Sequence, residues 1–232
     1  MKRRGSFRAL PPGRVTPDIT SRLATHSLLR ASRARMLRPM SGMDTAVSIA
    51  LGIGLAAAVG FRVFVPLLVT SIAAYTGHLH LDSHFAWLGS TTAITMLGAA
   101  AVVEILAYYL PAVDHVLDAL TAPFALIAGT IVSAAVITDL PPLIKWSTAV
   151  IAGGGAAAIT QGVTTLVRAK STAFTAGLGN PVVSTAELVA SAVVSVLALL
   201  APLLTLALVA VFCWFAVRLV RRLLRNGKAP PE

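Results

Sequence analysis

The chain has 232 residues, of which 56% are hydrophobic and only 12% charged; ordinary soluble domains carry about 25% charge, so a water-coated globule is excluded and lipid is the solvent for much of the surface. The formal net charge of +10 does not mark a nucleic-acid-binding face, because ten of the nineteen Lys and Arg fall within residues 1–42 and the rest of the chain balances nine basic against eight acidic residues. A single cysteine, Cys213, leaves no internal disulfide and no cysteine metal cluster, and the Ala- and Leu-rich runs lack the alternation of a membrane barrel.

Residues 1–42 are rich in Arg, Ser and Pro and lack the apolar core of a secretory signal. They read as a disordered basic extension, as a transit-like segment, or as sequence upstream of a true start near Met43, where the membrane pattern begins. A mature peptide spanning Arg8 to Arg22 would rule out the start at Met43.

The first apolar run, 45–76, would measure about 48 Å as one helix, against a hydrocarbon core of about 30 Å. Gly60 and Pro66 predict where it breaks, since proline removes a backbone donor and clashes with the preceding turn. A polar loop without Lys or Arg follows at 77–90, then a second span at 91–110 and an acidic amphipathic stretch at 111–120. The third span covers 121–138, and Asp139–Pro142 turns the chain into a fourth at 143–167. After a loop at 168–181, the run 182–217 is too long for one crossing and divides near Ala201 and Pro202. The expected fold is therefore all-α, a polytopic helical membrane protein of about six membrane segments, some of them broken or re-entrant. The helical domain occupies 43–220, and 221–232 form a basic tail. Cytoplasmic flanks are enriched in Lys and Arg, so Arg168, Lys170, Arg218, Arg221, Arg222, Arg225 and Lys228 place the 168–180 loop and both termini in the cytoplasm.

Small residues at four-residue spacing make smooth packing faces where lipid offers helices no hydrophobic drive to associate. Gly52, Ala56 and Gly60 form one such face, and Gly153 with Ala157 form another. Charge at mid-membrane costs at least about 2.5–3.5 kcal/mol and is functional by default. Arg62, Glu104 and Glu187 therefore stand out. Asn180 joins them: with Pro181 it suits a helix start, and an exposed helix N-terminus binds anions. These four residues form the candidate polar membrane site. Bland alternatives exist for each: Arg62 could snorkel to an interface, Ser184 and Glu187 fit a capping box, and Glu104 could merely pair with Arg62 or a tyrosine. A thin internal likeness relates Arg62 and Glu104 to Arg168 and Glu187, and inverted repeats with broken helices mark transporters.

His78, His80, Asp82 and His84 would share a face in an extended strand, but the bland reading, a wet interfacial loop, is preferred. Asp114, His115 and Asp118 form a second cluster. No nucleophile elbow, zinc-protease helix or phosphate-binding loop appears, so no catalytic, cofactor or metal residue is assigned and the chain is read as no enzyme.

The strings GLAAAVGFRVFVPLL, FAWLGS, EILAYYLPAVDHVLD, IAGGGAAAITQG and GLGNPVVSTAEL resemble the bacterial integral membrane proteins labelled domain of unknown function 4126. The resemblance covers roughly Met43 to Leu200 and implies a small multi-span protein, located in the bacterial plasma membrane. It implies no activity. Three functions compete: a small solute or ion transporter or channel, a non-transporting membrane assembly protein, and an intramembrane lipid-acting enzyme using Asp114, His115 and Asp118. The expected partners are the lipid bilayer, a second copy of the chain, and a small solute or ion, with no nucleic acid.

Overall fold

A computed structural model describes residues 42–109 and 111–226. The proposed extension and the end of the tail lie outside the described residues. The elements are α1 (Gly42–Val59), α2 (Phe64–Tyr75), a 3-10 helix (Ser83–Gly89), α3 (Thr91–Ala107) and α4 (Pro111–Val136). There follow α5 (Pro142–Thr148), a π-helical segment (Ala149–Gly154), α6 (Gly155–Thr175), α7 (Asn180–Leu200) and α8 (Pro202–Asn226). The all-α expectation holds.

Among the described residues, three helical stretches are long and apolar enough to cross a membrane: Pro142–Thr175, Asn180–Leu200 and Pro202–Leu219. A fourth results if the 3-10 helix and α3, bent by 68°, count as one span. This is a membrane protein. Shorter apolar helices accompany these stretches, among them Met43–Val59 and Phe64–Tyr75, the two halves of the first run.

Helix α1 is the axis of the bundle. Ala50, Leu55, Ala56, Ala58 and Val59 are fully buried in it, and it packs on α4, α6, α7 and α8. The small-residue faces serve as expected. A Cβ added to Gly60 would stand 2.4 Å from the Ala157 carbonyl oxygen, and one on Gly129 would stand 2.5 Å from the Ala157 Cβ. Backbones therefore touch where α1, α4 and α6 cross, and shape complementarity replaces the missing hydrophobic drive.

The first run does break, at Gly60–Val63, while Pro66 sits in the first turn of α2, where its missing N–H costs nothing. The two halves do not continue in line. Gly52 of α1 lies against Ser133 and Val136, near the end of α4. The chain leaving α2 returns to that same end, where the Asp82 N–H donates to the Ala135 carbonyl. α1 and α2 thus form a hairpin with its tip inside the bundle. α1 also runs parallel to α8, since Gly54 meets Thr205 and Phe61 meets Phe212. The start of α1 and the end of α8 consequently lie at opposite ends of the bundle, unlike the shared side expected from six full crossings. The hairpin is the physical reason, because it adds two apolar segments and no net crossing.

Because the Gly60 contact is with backbone, it cannot relax by a side-chain rotation. Gly60→Ala is expected to destabilise the bundle by about 1–3 kcal/mol, measured as thermal unfolding in detergent. Gly162→Ala, where an added Cβ meets nothing within 4 Å, should stay within about 0.5 kcal/mol or stabilise slightly.

Candidate functional site

The hairpin tip creates a problem that the site solves. The first N–H groups of any helix have no partner within it, and here they open inside apolar surroundings. Within the turn, the N–H groups of Gly60, Phe61 and Arg62 still reach back to the carbonyls of Ala56, Ala57 and Ala58. Val63 and Phe64 cannot. Glu104, on α3, supplies both oxygens: its carboxylate accepts from the Val63 N–H at 2.8 Å and the Phe64 N–H at 3.1 Å. Glu104 is thus a cap delivered from another helix, and its negative charge suits a helix start. Val63, the residue at the cap position, offers no side-chain acceptor of its own.

Arg62, immediately before the cap, is 2% exposed. It does not snorkel. Its Nη2 donates to the Ser184 carbonyl at 2.9 Å and lies 3.7 Å from Glu187. Glu187 is gripped more closely by Arg168, whose Nε donates to Oε1 at 3.0 Å while Nη2 bonds Oε2. That two-pronged geometry is the strong form of a charge-assisted pair. Both guanidinium groups also sit over the Tyr108 ring, Arg62 at 3.8 Å and Arg168 at 4.0 Å from its centroid. A ring quadrupole attracts such cations most when water is excluded. Two arginines and two glutamates make the cluster formally neutral.

Arg62, Glu104 and Glu187 therefore converge. The capping-box alternative for Glu187 fails because α7 begins at Asn180, seven residues earlier, so the carboxylate is well inside the helix. The side-chain nitrogen of Asn180 donates to Thr172 Oγ1 at 3.0 Å, tying α7 back to the end of α6. Two members were missed. Arg168 was read as loop, yet α6 runs on to Thr175 and buries it. Tyr108, just past the end of α3, is the other, and it is 4% exposed. The signal for Arg168 was available in its periodicity. Thr160, Gln161, Thr164 and Arg168 recur at helical spacing and are all buried, and Ser184, Glu187, Ser191 and Ser195 do the same on α7. These helices turn polar stripes inward and apolar faces toward lipid.

Glu187 lies seven residues beyond Asn180, or about 10 Å along the axis of α7, inside a helix long and apolar enough to cross a membrane. Its least satisfied members are on Arg62: Nε and Nη1 are buried without a hydrogen-bond partner among the described residues, and so is Ser184 Oγ. Such groups cost roughly 1–3 kcal/mol each when left unmade.

At the opposite end of the bundle, Asp82 pairs with Lys145 Nζ at 2.7 Å and accepts from the His84 N–H at 3.1 Å. Among the described residues no three His, Cys, Asp or Glu gather as metal ligands. Asp82 instead fastens the loop after α2 to the start of α5. Desolvation pushes the Asp82 carboxyl up, but the hydrogen bonds from Lys145 and His84 and their charges together hold it below the usual carboxylate range. The side chains of Asp114, His115 and Asp118 lie outside the described residues.

The chain belongs to the family described as Domain of unknown function (DUF4126), which it matches over residues 49–222. No curated protein and no solved structure shows significant similarity to it.

Two outcomes test this geometry. Glu104→Ala strands two buried donors and is expected to destabilise by about 2–6 kcal/mol, against a smaller loss for Glu104→Gln, which keeps one acceptor; unfolding in detergent measures both. For Asp82, a depressed folded pKa means its contribution is full above the unfolded value near 4 and fades as pH falls through the folded value. The stability gap between the native protein and Asp82→Asn should be constant near neutrality and should close only under acid, as read from melting temperature against pH.

Proposed function

We propose that the protein carries a small anion or carboxylate-bearing solute across the bilayer, with Arg62 as its anchor. One observation supports the reading above others: a buried guanidinium keeps two donors and the neighbouring Ser184 hydroxyl without partners, inside the membrane and at a break in the backbone. Irregular backbone at that depth is tolerated where protein or a watery cavity surrounds it, and broken helices at such depth are where transporters place their substrates. Arg168 and Glu187 would balance the anchor's charge, and Glu104 would keep the tip of the hairpin capped through the cycle. The proposal involves no chemical step, and it needs no cofactor.

The same reading places the protein in a bacterial plasma membrane, in keeping with the resemblance. The end of the bundle bearing Arg218, Arg221 and Arg222 would face the cytoplasm, by the bias of Lys and Arg. The start of α1 would then face outward.

A second reading has its own support. All four carboxylate oxygens of Glu104 and Glu187 already have partners, which suits a static clasp in a membrane assembly protein.

Flux assays in proteoliposomes separate the two. Chloride or acetate flux is expected for the native protein, reduced at least tenfold by Arg62→Gln and by Glu187→Gln in preparations that remain monodisperse. Flux equal to that of empty vesicles, or unchanged in both variants, would favour the clasp.

A further inference from the structure

The lipid-facing side of α6 and α8 carries a feature that the polar cluster does not use. Two clefts run between these helices. One, of about 380 Å³, is lined by Ala158, Ile159, Gly162, Leu166, Val217 and Arg221, among others. The second, of about 240 Å³, continues from Ile159 past Gly155 and Ala152 to Leu206 and Cys213. Gly155 and Gly162 form open floor, since a Cβ on either would meet nothing within 4 Å. From Ile151 in the π-helical segment to Leu166 in α6 the lining spans fifteen residues, or about 22 Å. One leaflet of hydrocarbon is about 15 Å deep, so the groove is long enough for an acyl chain to lie along it.

Its mouth is cationic. The apolar part of α8 ends at Leu219, and Arg218, Arg221 and Arg222 stand there at helical spacing, on one side of the helix. Arg218 lies over the Trp214 ring at 5.1 Å. Neither α6 nor α8 contains an acidic residue, so no counter-charge on these two helices answers the arginines. We propose that this groove binds an anionic phospholipid, the phosphate held by Arg221 with Arg218 and Arg222 beside it, and one acyl chain lying along Gly162, Ile159 and Gly155. A second copy of the chain fits poorly, because a twofold contact between parallel helices would bring the same arginines face to face. Free phosphate would leave the apolar groove empty.

Native mass spectrometry of the full chain released from mixed vesicles tests the site. Phosphatidylglycerol should be retained at least tenfold over phosphatidylcholine. The triple variant R218Q/R221Q/R222Q should lose that preference, at about fivefold per arginine, without loss of monodispersity, because all three side chains are exposed. Dioctanoyl phosphatidylglycerol, tested on the native chain, should bind at least tenfold more weakly than the long-chain lipid. Gly162→Leu should weaken the long-chain lipid alone. Equal retention of both headgroups, equal affinity for short and long chains, or displacement by millimolar inorganic phosphate would each overturn the proposal. So would a lipid-free dimer that Gly162→Leu dissociates.

Discussion

Two amide groups, those of Val63 and Phe64, set the terms for this protein. A chain that reverses inside a bilayer must satisfy the donors at the start of its new helix, and neither water nor lipid can do so there. Glu104 meets that demand, and a carboxylate in that position has to be balanced by cations. Arg62 and Arg168 are near enough to do so. Arg168 in turn engages Glu187, and the face of Tyr108 holds both guanidinium groups. The cluster is thus a chain of obligations beginning at one interrupted backbone. The same logic explains why its members come from α3, α6 and α7 as well as from the hairpin: a short helix cannot provide its own cap when the cap position is valine.

Much of this was legible in the chain. The excess length of the 45–76 run forced a break, and glycine within it fixed where. Intramembrane charge identified Arg62, Glu104 and Glu187 without any coordinates. The direction taken after the break was not legible, since a kinked span and a hairpin have the same hydropathy. It depends on α2 packing antiparallel to α3, with the Phe64 N–H on Glu104 and Leu68 near Gly98. Arg168 was hidden for a different reason. It is followed by Lys170 and a Gly-rich turn, which reads as the end of a span, whereas the helix extends further and buries the arginine. Asn180, a residue suited to a helix start, uses its amide to close the α6–α7 turn through Thr172.

Helices α6 and α7 reverse the usual soluble arrangement. Serines and threonines face the centre, where several return hydrogen bonds to carbonyls one turn back, as Thr160 does to Ala156 and Ser195 does to Ser191. Ser191 goes further and serves the Ala58 carbonyl of α1, at the very turn where the hairpin begins to unwind. These hydroxyls are thin enough to let helices approach and polar enough to steady irregular backbone. The valines and leucines that a soluble core would bury are left on the outside, in contact with lipid.

The π-helical segment Ala149–Gly154 sets the angular phase of everything after it. Such a segment accommodates one residue more than an α-helix would over the same rise, and each residue of an α-helix advances the side-chain direction by about 100°. Loss of a single residue from this segment, restoring ordinary helix, would swing Arg168 away from Tyr108 and Glu187 without altering any of the three. Gaps between members of the family should therefore cluster in the connections, and natural variation in chain length should avoid these six positions.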